Sequence, residues 1–299
     1  MESLKGKKIK STEIAILINS LRPEYNFRQL LKYFNLKRKT YYAALKRSKK
    51  PDKYLKLKEE IKNIYLKSRE TYGYRRIWQI LINKGYTYCL ETVRRIMRKI
   101  GLICTVYSKK TRKYSSFKGE IGKIAPNILK QKFNETIPYK VLHTDITQVK
   151  IGKNKWGYIS AIIDEASGEV LATSISEHPN WRLVSDMLDK LSMNLPQNSK
   201  PLIHSDQGFH YQLKSYRQKL KSNGYMQSMS RKGNCLDNAP IESFFNLLKR
   251  ECLNRININS VITLKNTYKK YVDWFNNERI SGNKKGLTPV EYRCKSLKI

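Results

Sequence analysis

Three short apolar runs rich in β-branched residues follow one another in the second half of the chain, at 141–149, 157–164 and 170–175. Only a few residues separate each run from the next, which is typical of antiparallel neighbours. The runs therefore predict an antiparallel meander of three strands. Beyond the meander, the hydrophobic pattern predicts helices at 181–191, 211–223, 238–251 and 260–277, and strands at 202–205 and 226–229.

This order of strands and helices resembles the ribonuclease-H-like fold. We therefore expect an α/β protein in which helices flank a mixed sheet, preceded by all-α modules of the helix-turn-helix type. The order of elements does not choose among the many functions that this fold supports.

The first hundred residues are basic and helical in pattern. Apolar spacing predicts helices at 27–34 and 40–45 around a short break, which is the arrangement of a helix-turn-helix, although a plain structural helix pair fits the spacing equally well. Further helices are expected at 52–68, 75–83 and 90–100. In the last of these, Arg94, Arg95 and Arg98 lie off the apolar stripe, which indicates either a DNA-gripping face or a solvated one.

The charge of the chain points to a polyanionic partner. Lys and Arg number 60 against 24 Asp and Glu, so the formal net charge is +36. Nucleic acid is the commonest partner of such a surface, and a ribosomal or RNA-coating protein would also satisfy the charge alone. No run approaches the roughly 18 apolar residues of a membrane-spanning helix. The five cysteines lack metal-ligand spacing and are expected to be free thiols in a reducing cytosol.

Changes in composition suggest the division of the chain into domains. We predict a helix-turn-helix-like module, a second helical DNA-binding module, a basic linker that could lie along phosphates, a ribonuclease-H-like catalytic core and a C-terminal tail. Their predicted bounds are 1–50, 51–104, 105–137, 138–280 and 281–299.

Three carboxylates stand in positions that call for a partner. Asp145 interrupts an apolar strand, Asp206 ends the strand at 202–205, and Glu242 lies one turn into a helix. An acid in an apolar strand is costly unless it is paired or binds a metal. Two ions about 3.5–4 Å apart, held by such oxygens, can activate a hydroxyl or water and stabilise the leaving oxygen of a phosphodiester. The alternative is that these acids form caps and salt bridges.

The motifs around these acids carry a specific resemblance. They are residues 144–147 (Thr-Asp-Ile-Thr), 204–208 (His-Ser-Asp-Gln-Gly) and 235–245, which contains Asp-Asn-Ala-Pro-Ile-Glu. The three blocks resemble the catalytic motifs of insertion-sequence transposases with a retroviral-integrase-like core, specifically the second-frame product of the insertion sequence 3 family. The thirty-five residues between Asp206 and Glu242 match the spacing called DD(35)E. Residues 72–77, 275–279 and 287–289 resemble further signatures of that family.

The resemblance implies a DNA transposase that binds element ends and catalyses strand cleavage and then strand transfer. It implies Asp145, Asp206 and Glu242 as catalytic metal ligands, with Mg²⁺ as cofactor and Mn²⁺ as a substitute. Lys249, seven residues after Glu242, is expected on the same helix face and near a DNA phosphate. Arg75 and Arg76 join Arg94, Arg95 and Arg98 as expected DNA contacts.

The same resemblance sets the expected partners and location. They are double-stranded DNA at the element ends and at the target, further copies of the chain assembled on DNA, and the upstream-frame product. No membrane is expected to be involved, and the location implied is the bacterial cytoplasm, in association with DNA.

Several neighbouring residues receive structural interpretations. Asp237 or Asn238 is expected to cap the helix that carries Glu242, and Gly233 to permit a mobile loop before it. Strand alternation is taken to turn His143 and His204 away from the aspartates into the core.

Asp164 is expected to serve a turn. Arg250 is expected off the face of the helix that presents Glu242.

Three other functions are weighed against the transposase. A DNA-binding repressor or inactive relic would share the basic helical half but would not need the carboxylates. A ribonuclease H would not need two N-terminal helical modules, and a tyrosine or serine recombinase would need a nucleophile in an arginine cluster, which the sequence does not show.

Overall fold

The computed structural model describes residues 9–104, 106, 122–153, 155–231 and 235–297. Most of the predicted basic linker, and Gly233 with its expected mobile loop, therefore lie outside the described residues. The chain divides into two compact units, residues 1–60 and residues 61–299. The finer division into five segments stays a prediction.

The first unit is a small helical bundle. It contains helices α1 (Ser11–Leu21), α2 (Phe27–Tyr33) and α3 (Arg38–Ser48). The side chain of Asn26 accepts a hydrogen bond of 3.0 Å from the backbone N–H of Arg28, which confirms the predicted start of α2. The bundle closes over a shared apolar core that is contributed by all three helices: Ala15, Ile18, Leu30, Tyr41 and Ala44.

Three further helices lie between the first bundle and the sheet in the sequence. They are α4 (Leu55–Lys67), which crosses the boundary between the units, α5 (Tyr74–Asn83) and α6 (Leu90–Lys99). The buried face of α6 is the predicted apolar stripe and includes Ile96, and α5 buries Ile77 and Leu81. Gly85 and Gly101 follow the two helices with φ of +85° and +72°, a conformation that glycine adopts without strain.

The described residues form one five-stranded sheet. Its strands are β1 (Val141–Ile151), β2 (Lys155–Asp164), β3 (Val170–Ser176), β4 (Leu202–Ser205) and β5 (Met226–Met229). The order across the sheet is β3-β2-β1-β4-β5. The predicted meander is confirmed, since β1–β2 and β2–β3 are antiparallel, whereas β1–β4 and β4–β5 are parallel. The sheet is therefore mixed, as the sequence predicts.

Helices flank this sheet and fill the rest of the second unit. They are α7 (Trp181–Asn194), α8 (Phe209–Gln212), α9 (Lys214–Ser222), α10 (Ala239–Glu251), α11 (Val261–Asn277) and α12 (Pro289–Ser296). The buried side chains of α7 and α9 share one apolar cluster with Leu142, Ile162 and Ile203 of the sheet.

One prediction about helices was wrong. The helix expected at 211–223 is divided into α8 and α9, because Leu213 is extended, with φ −62° and ψ 144°. The predicted tail at 281–299 contains α12, for which the sequence analysis made no prediction; it begins at a capping box between Thr288 and Glu291.

A side chain of α11 forms hydrogen bonds with β3, the strand at one outer edge of the sheet. Asn276 of α11 accepts a hydrogen bond from the N–H of Val170 at 3.0 Å and donates one to the carbonyl of the same residue at 2.9 Å. The amide thus satisfies both backbone groups of Val170 that point out of the sheet.

The structure describes the side chains of four of the five cysteines. Cys89, Cys104, Cys252 and Cys294 are free thiols. None of the described helices is both long and apolar enough to cross a membrane.

Candidate active site

The parallel pairing of β1 with β4 determines where the two aspartates lie. His143 is the register partner of His204, and Asp145 and Asp206 each follow two residues later on these strands. Parallel strands run in the same direction, so both aspartates lie at the level of the C-terminal end of β4. They belong to neighbouring interior strands of the sheet.

Short backbone contacts fix the two aspartate side chains. Asp145 Oδ1 accepts a hydrogen bond of 2.7 Å from the N–H of Ile146, and Asp206 Oδ1 accepts one of 2.9 Å from Gly208. A Cβ atom at position 208 would lie 2.9 Å from Asp206 Oδ1, closer than side-chain carbons normally approach. The chain must therefore have glycine, or move, at the turn that presents Asp206.

Glu242 reaches the site from the first turn of α10, where it is half-buried. The residue before this helix, Asn238, lies 2% exposed against β1. Its Nδ2 donates a hydrogen bond of 3.0 Å to the carbonyl of Thr144, and its Oδ1 lies 3.0 Å from His143 Nδ1. Asn238 thus attaches the start of the helix to the strand that carries Asp145.

The three carboxylates influence one another electrostatically. Burial raises the pKa of Asp145 well above its usual value, and the charges of Asp206 and Glu242 raise it further. Burial and the charge of Asp206 raise the pKa of Glu242. Although Asp206 retains accessible surface, the protein around its carboxyl group raises its pKa as well. Such mutual repulsion shows that the structure brings the three predicted site residues into one neighbourhood.

Lys249 is the cation of this neighbourhood. Burial lowers the pKa of its ammonium group, while the charge of Asp145 opposes that shift. Lys249 lies two turns after Glu242 in α10, and it lines a cleft of about 410 Å³ together with Gln148, Lys150 and Asn254. Lys150 and Lys249 give this cleft two cationic groups that suit a polyanion.

The acidic set has the right donor chemistry for a hard divalent cation, since all three groups offer oxygen and repel one another without a counter-charge. Within the described part of the chain, no group of three or more His, Cys, Asp or Glu side chains is arranged as metal ligands. The three carboxylates share one neighbourhood, but metal ligation by them stays a prediction.

The predicted cap of α10 was wrong. No side chain caps this helix, although Asn238 occupies the N-cap position. Asp237 instead binds Arg231, through Oδ2 to the N–H at 2.8 Å and through Oδ1 to the guanidinium at 2.9 Å, and it accepts a hydrogen bond from Asn127. The hydrogen bonds from Arg231 hold the pKa of Asp237 far below its usual range. Asp237 therefore binds Arg231 and Asn127 instead of capping α10.

The two histidines are buried, as predicted, but the expected sheet face was wrong. Residues two apart on a strand share a face, so His143 lies on the side of Asp145 and contacts Asn238. His143 Nε2 also lies 2.8 Å from Glu165, and His204 Nδ1 lies 2.9 Å from Ser228 Oγ. Polar contacts thus hold both histidine rings on the two strands that lead to Asp145 and Asp206.

Asp164 serves a turn, as predicted. It accepts hydrogen bonds from the N–H and the hydroxyl of Ser167, at 2.8 and 2.6 Å.

The expected DNA contacts are divided between surface and interior. Arg75, Arg95 and Arg98 are exposed. Arg94 is half-buried over the ring of Tyr74. Arg76 points inward, and its NH1 lies 3.7 Å from Glu251. Their roles in DNA binding stay predictions.

Glu251 is the residue that the sequence analysis missed. It is the last residue of α10 and only 2% exposed, and it pairs with Arg279. A signal existed, because an acid at a helix C-terminus opposes the helix dipole and therefore requires a partner from elsewhere.

Comparison with known families places these features in context. Residues 135–235 and residues 242–297 each match the description "Integrase core domain". Residues 53–111 match the description "HTH-like domain". The mixed sheet and these matches together confirm the predicted ribonuclease-H-like fold class with a preceding helical module.

Similar proteins occur in bacteria. The putative transposase InsK for insertion sequence element IS150 of Escherichia coli (strain K12) is 40% identical, covering 93% of this chain and 96% of that protein. An uncharacterized transposase-like protein of Haemophilus influenzae is 42% identical, covering 69% of this chain and 94% of that protein. Transposase InsF for insertion sequence IS3A of Escherichia coli is 26% identical, covering 94% of this chain and 99% of that protein.

Proposed function

We propose residue roles for this chain, which belongs to the insertion sequence 3 family of transposases with an integrase core domain. The chain is a DDE-type DNA transposase, as the sequence predicts, and the alternative of an inactive relic is not favoured. Such an enzyme cleaves DNA strands and transfers them to new partners.

The proposed catalytic residues are Asp145, Asp206 and Glu242. The observation that supports this assignment is their convergence: β1 and β4 bring the two aspartates together, α10 adds Glu242, and the charges of Asp206 and Glu242 both raise the pKa of Asp145. Burial raises the pKa of all three carboxyl groups, and the three acids lie near one another although their like charges repel. An arrangement that is unfavourable for the fold is typical of a functional site.

The protein depends on a divalent metal, as integrase-like cores do, and we propose Mg²⁺, with Mn²⁺ as a substitute. Asp145, Asp206 and Glu242 would hold it. A bound cation would neutralise the carboxylates and activate the attacking oxygen of water or of a 3′-hydroxyl for in-line displacement at phosphorus.

The protein's own groups orient the DNA for this displacement. We assign Lys249 to a phosphate beside the scissile bond, because its ammonium group lies near Asp145 and lines the adjacent cleft. Arg75, Arg94, Arg95 and Arg98 are assigned to the phosphates of duplex DNA at the element ends, whereas Arg76, which the sequence analysis grouped with them, faces Glu251 and is left out of this assignment. Most contacts of this kind position a protein on DNA without reading its sequence.

The helix-turn-helix-like and integrase matches imply DNA as the partner. Binding to both element ends and target DNA, and assembly of several copies on that DNA, are further parts of the proposal. Its proposed location is the bacterial cytoplasm, in association with DNA. Cooperation with an upstream-frame product stays a prediction.

The experiment compares Asp145→Asn, Asp206→Asn and Glu242→Gln with wild type. Cleavage and strand transfer of an element-end oligonucleotide are measured with Mg²⁺ and then with Mn²⁺, alongside gel-shift titrations. Each change removes one charge and little volume, so we expect cleavage to be lost and end binding to remain nearly intact.

Asp186→Asn is the matched control, since Asp186 is an acid on the surface of α7 in the same domain. A Glu242→Gln enzyme with full activity would contradict the three-carboxylate assignment. Equal loss of end binding in all three variants would mean that these acids support the fold.

A further inference from the structure

The carboxylate of Glu251 is buried at the C-terminal end of α10, the helix that carries Glu242 and Lys249. Its side chain has no accessible surface. Glu251 follows Glu242 by nine residues in α10, a distance of about 13 Å along the helix axis at 1.5 Å per residue. It is therefore too far from the acidic cluster to take part in the reaction, and its burial needs another explanation.

The integrase core supplies two strong partners for Glu251. Arg279, just after α11, donates from Nε to Oε2 at 2.8 Å and from NH2 to Oε1 at 2.7 Å. The hydroxyl of Tyr271 donates to Oε2 at 2.9 Å. A two-point pair of this kind is directional, so it fixes the end of α10 against α11.

The third partner comes from the helix-turn-helix-like segment. Arg76 of α5 places NH1 3.7 Å from Glu251 Oε1, and its guanidinium lies over the ring of Tyr72, 5.2 Å from the ring centre. The side chain of Arg76 is 23% exposed, so this ion pair is largely shielded from water. The same carboxylate thus touches both the catalytic core and the preceding helical segment.

Tyr72 forms a second connection between the same parts of the chain. Its hydroxyl accepts a hydrogen bond of 2.8 Å from the N–H of Ile280 and donates one of 3.4 Å to the carbonyl of Glu278. Tyr72 is 2% exposed, and its ring lies 6.4 Å from that of Trp274. The two signature segments at 72–77 and 275–279 therefore meet each other in the folded protein.

A third connection lies beside these two. Arg69 donates a hydrogen bond of 3.1 Å to the carbonyl of Lys270 and lies 5.1 Å from the ring centre of Trp274. Arg255 of the core donates to the carbonyl of Arg69 at 2.6 Å. Several directional contacts hold one helical segment in one orientation far better than an apolar patch would.

We propose that Glu251, Arg76 and Tyr72 are positioning residues that form a joint between the start of α5 and the core, at the end of the catalytic helix α10 and at residues 278–280. The joint determines which phosphodiester of the bound element end reaches Asp145, Asp206 and Glu242. This role rests on the proposed function, because it requires that the helix-turn-helix-like segment binds the end that the core cuts. The residues act through geometry and contact neither DNA nor metal in this role.

The test uses the full-length protein with Arg76→Gln, Arg76→Lys and Tyr72→Phe. Glu251→Gln is avoided as the main variant, because it would leave the buried charge of Arg279 without its partner and threaten the fold. Arg182→Gln is the matched control, since this arginine on α7 is 87% exposed and far in sequence from the joint.

Two measurements are made on each variant. The first is hydrogen exchange of the DNA-free protein, read at α5 and at the amide of Ile280. The second is single-turnover cleavage of an end-labelled element-end duplex, read as the rate and as the distribution of cut positions.

We expect Arg76→Gln and Tyr72→Phe to speed exchange at both places and to spread the cuts over neighbouring phosphodiesters. The rate at the correct position should fall on the order of tenfold, since a displacement near 1 Å can cost far more. Arg76→Lys keeps the charge and should restore most of the single-position cutting. A merely structural role would lower stability without moving the cut.

Unchanged exchange in Arg76→Gln and Tyr72→Phe would overturn the joint, and cuts at the wild-type position with the wild-type rate would overturn its positioning role. The exchange measurement needs no DNA and therefore tests the joint by itself. A wild-type protein that cuts no element end would instead overturn the residue roles of the proposed function, and the positioning role with them.

Discussion

The side-chain amide of Asn238 donates a hydrogen bond of 3.0 Å to the backbone carbonyl of Thr144, the residue that precedes Asp145. The same side chain meets the ring of His143 through its oxygen. One buried amide therefore connects the strand that presents Asp145 with the start of the helix that presents Glu242. The relative position of two proposed catalytic acids depends on this connection.

Replacing Asn238 by alanine should weaken both the fold and the reaction. Asn238→Ala leaves the buried Thr144 carbonyl and a ring nitrogen of His143 without their partner, which we expect to lower the free energy of unfolding by about 1–3 kcal/mol. Denaturant unfolding of the full chain measures this loss. Asn63→Ala, at an exposed position of α4, should stay within about 0.5 kcal/mol of wild type. Equal stability of the two variants would contradict the role of Asn238.

Lys249→Ala should reduce cleavage without abolishing it. The change removes a positioning cation, and we expect a loss on the order of tenfold to a hundredfold in rate, smaller than the loss in the carboxylate variants. Lys249→Arg should recover part of the rate, and Lys265→Ala, at an exposed position of α11, serves as the control. Single-turnover cleavage measures the effect. A Lys249→Ala enzyme as inactive as Asp145→Asn would place this lysine among the essential groups.

Asp145→Asn should stabilise the metal-free protein at neutral and higher pH. The pKa of Asp145 is raised in the folded protein, so its contribution to stability is present below the unfolded pKa and is lost as pH rises through the folded pKa. The variant avoids this loss, and its melting temperature in EDTA should exceed that of wild type by roughly a few degrees at about pH 8. The difference should shrink below about pH 4 and be smallest near about pH 3, where the Asp145 carboxyl is largely protonated in both the folded and the unfolded protein.

Added Mg²⁺ provides the complementary measurement. Binding to the folded state raises the melting temperature of wild type, and the raise should be smaller in Asp145→Asn because one ligand charge is missing. A melting temperature of Asp145→Asn below that of wild type in EDTA at about pH 8 would contradict the repulsion among the acids.

DNA binding by the full chain should depend steeply on salt. Each arginine that neutralises a phosphate contributes about one to the slope of log K against log salt. Arg95→Gln and Arg98→Gln should therefore each flatten the slope by about one and weaken binding to all sequences alike. Gel-shift titrations over a range of salt measure the slope, with Arg182→Gln as the control. A slope unchanged in both variants would remove the exposed side of α6 from the DNA interface.

Sequence patterns predicted the parts of the site that depend on local spacing. The strand at 202–205 has the predicted bounds, since Pro201 precedes it and the turn residues 206–208 follow it. Asp145 and Asp206 could be placed on adjacent strands because the order of strands and helices limits the pairing of β1 and β4. The expected face of Glu242 and Lys249 followed from helix geometry alone.

Contacts between distant parts of the chain could not be predicted in this way. Asp237 or Asn238 was expected to cap α10, but the carboxylate of Asp237 is occupied by Arg231 and Asn127. Nothing in the local pattern indicates that the acid at the end of α10 would meet an arginine twenty-eight residues later. By contrast, α12 had a local signal that the sequence analysis did not use, namely Thr288 followed by Pro289 and Glu291.

The amide of Asn276 at the outer edge of the sheet has a consequence for solubility. An unpaired edge strand is a template on which another chain can add a strand, and natural proteins block such edges. At Val170 the amide occupies both the donor and the acceptor that an added strand would need. A second copy of this transposase is thus prevented, at this point of β3, from adding a strand to the sheet.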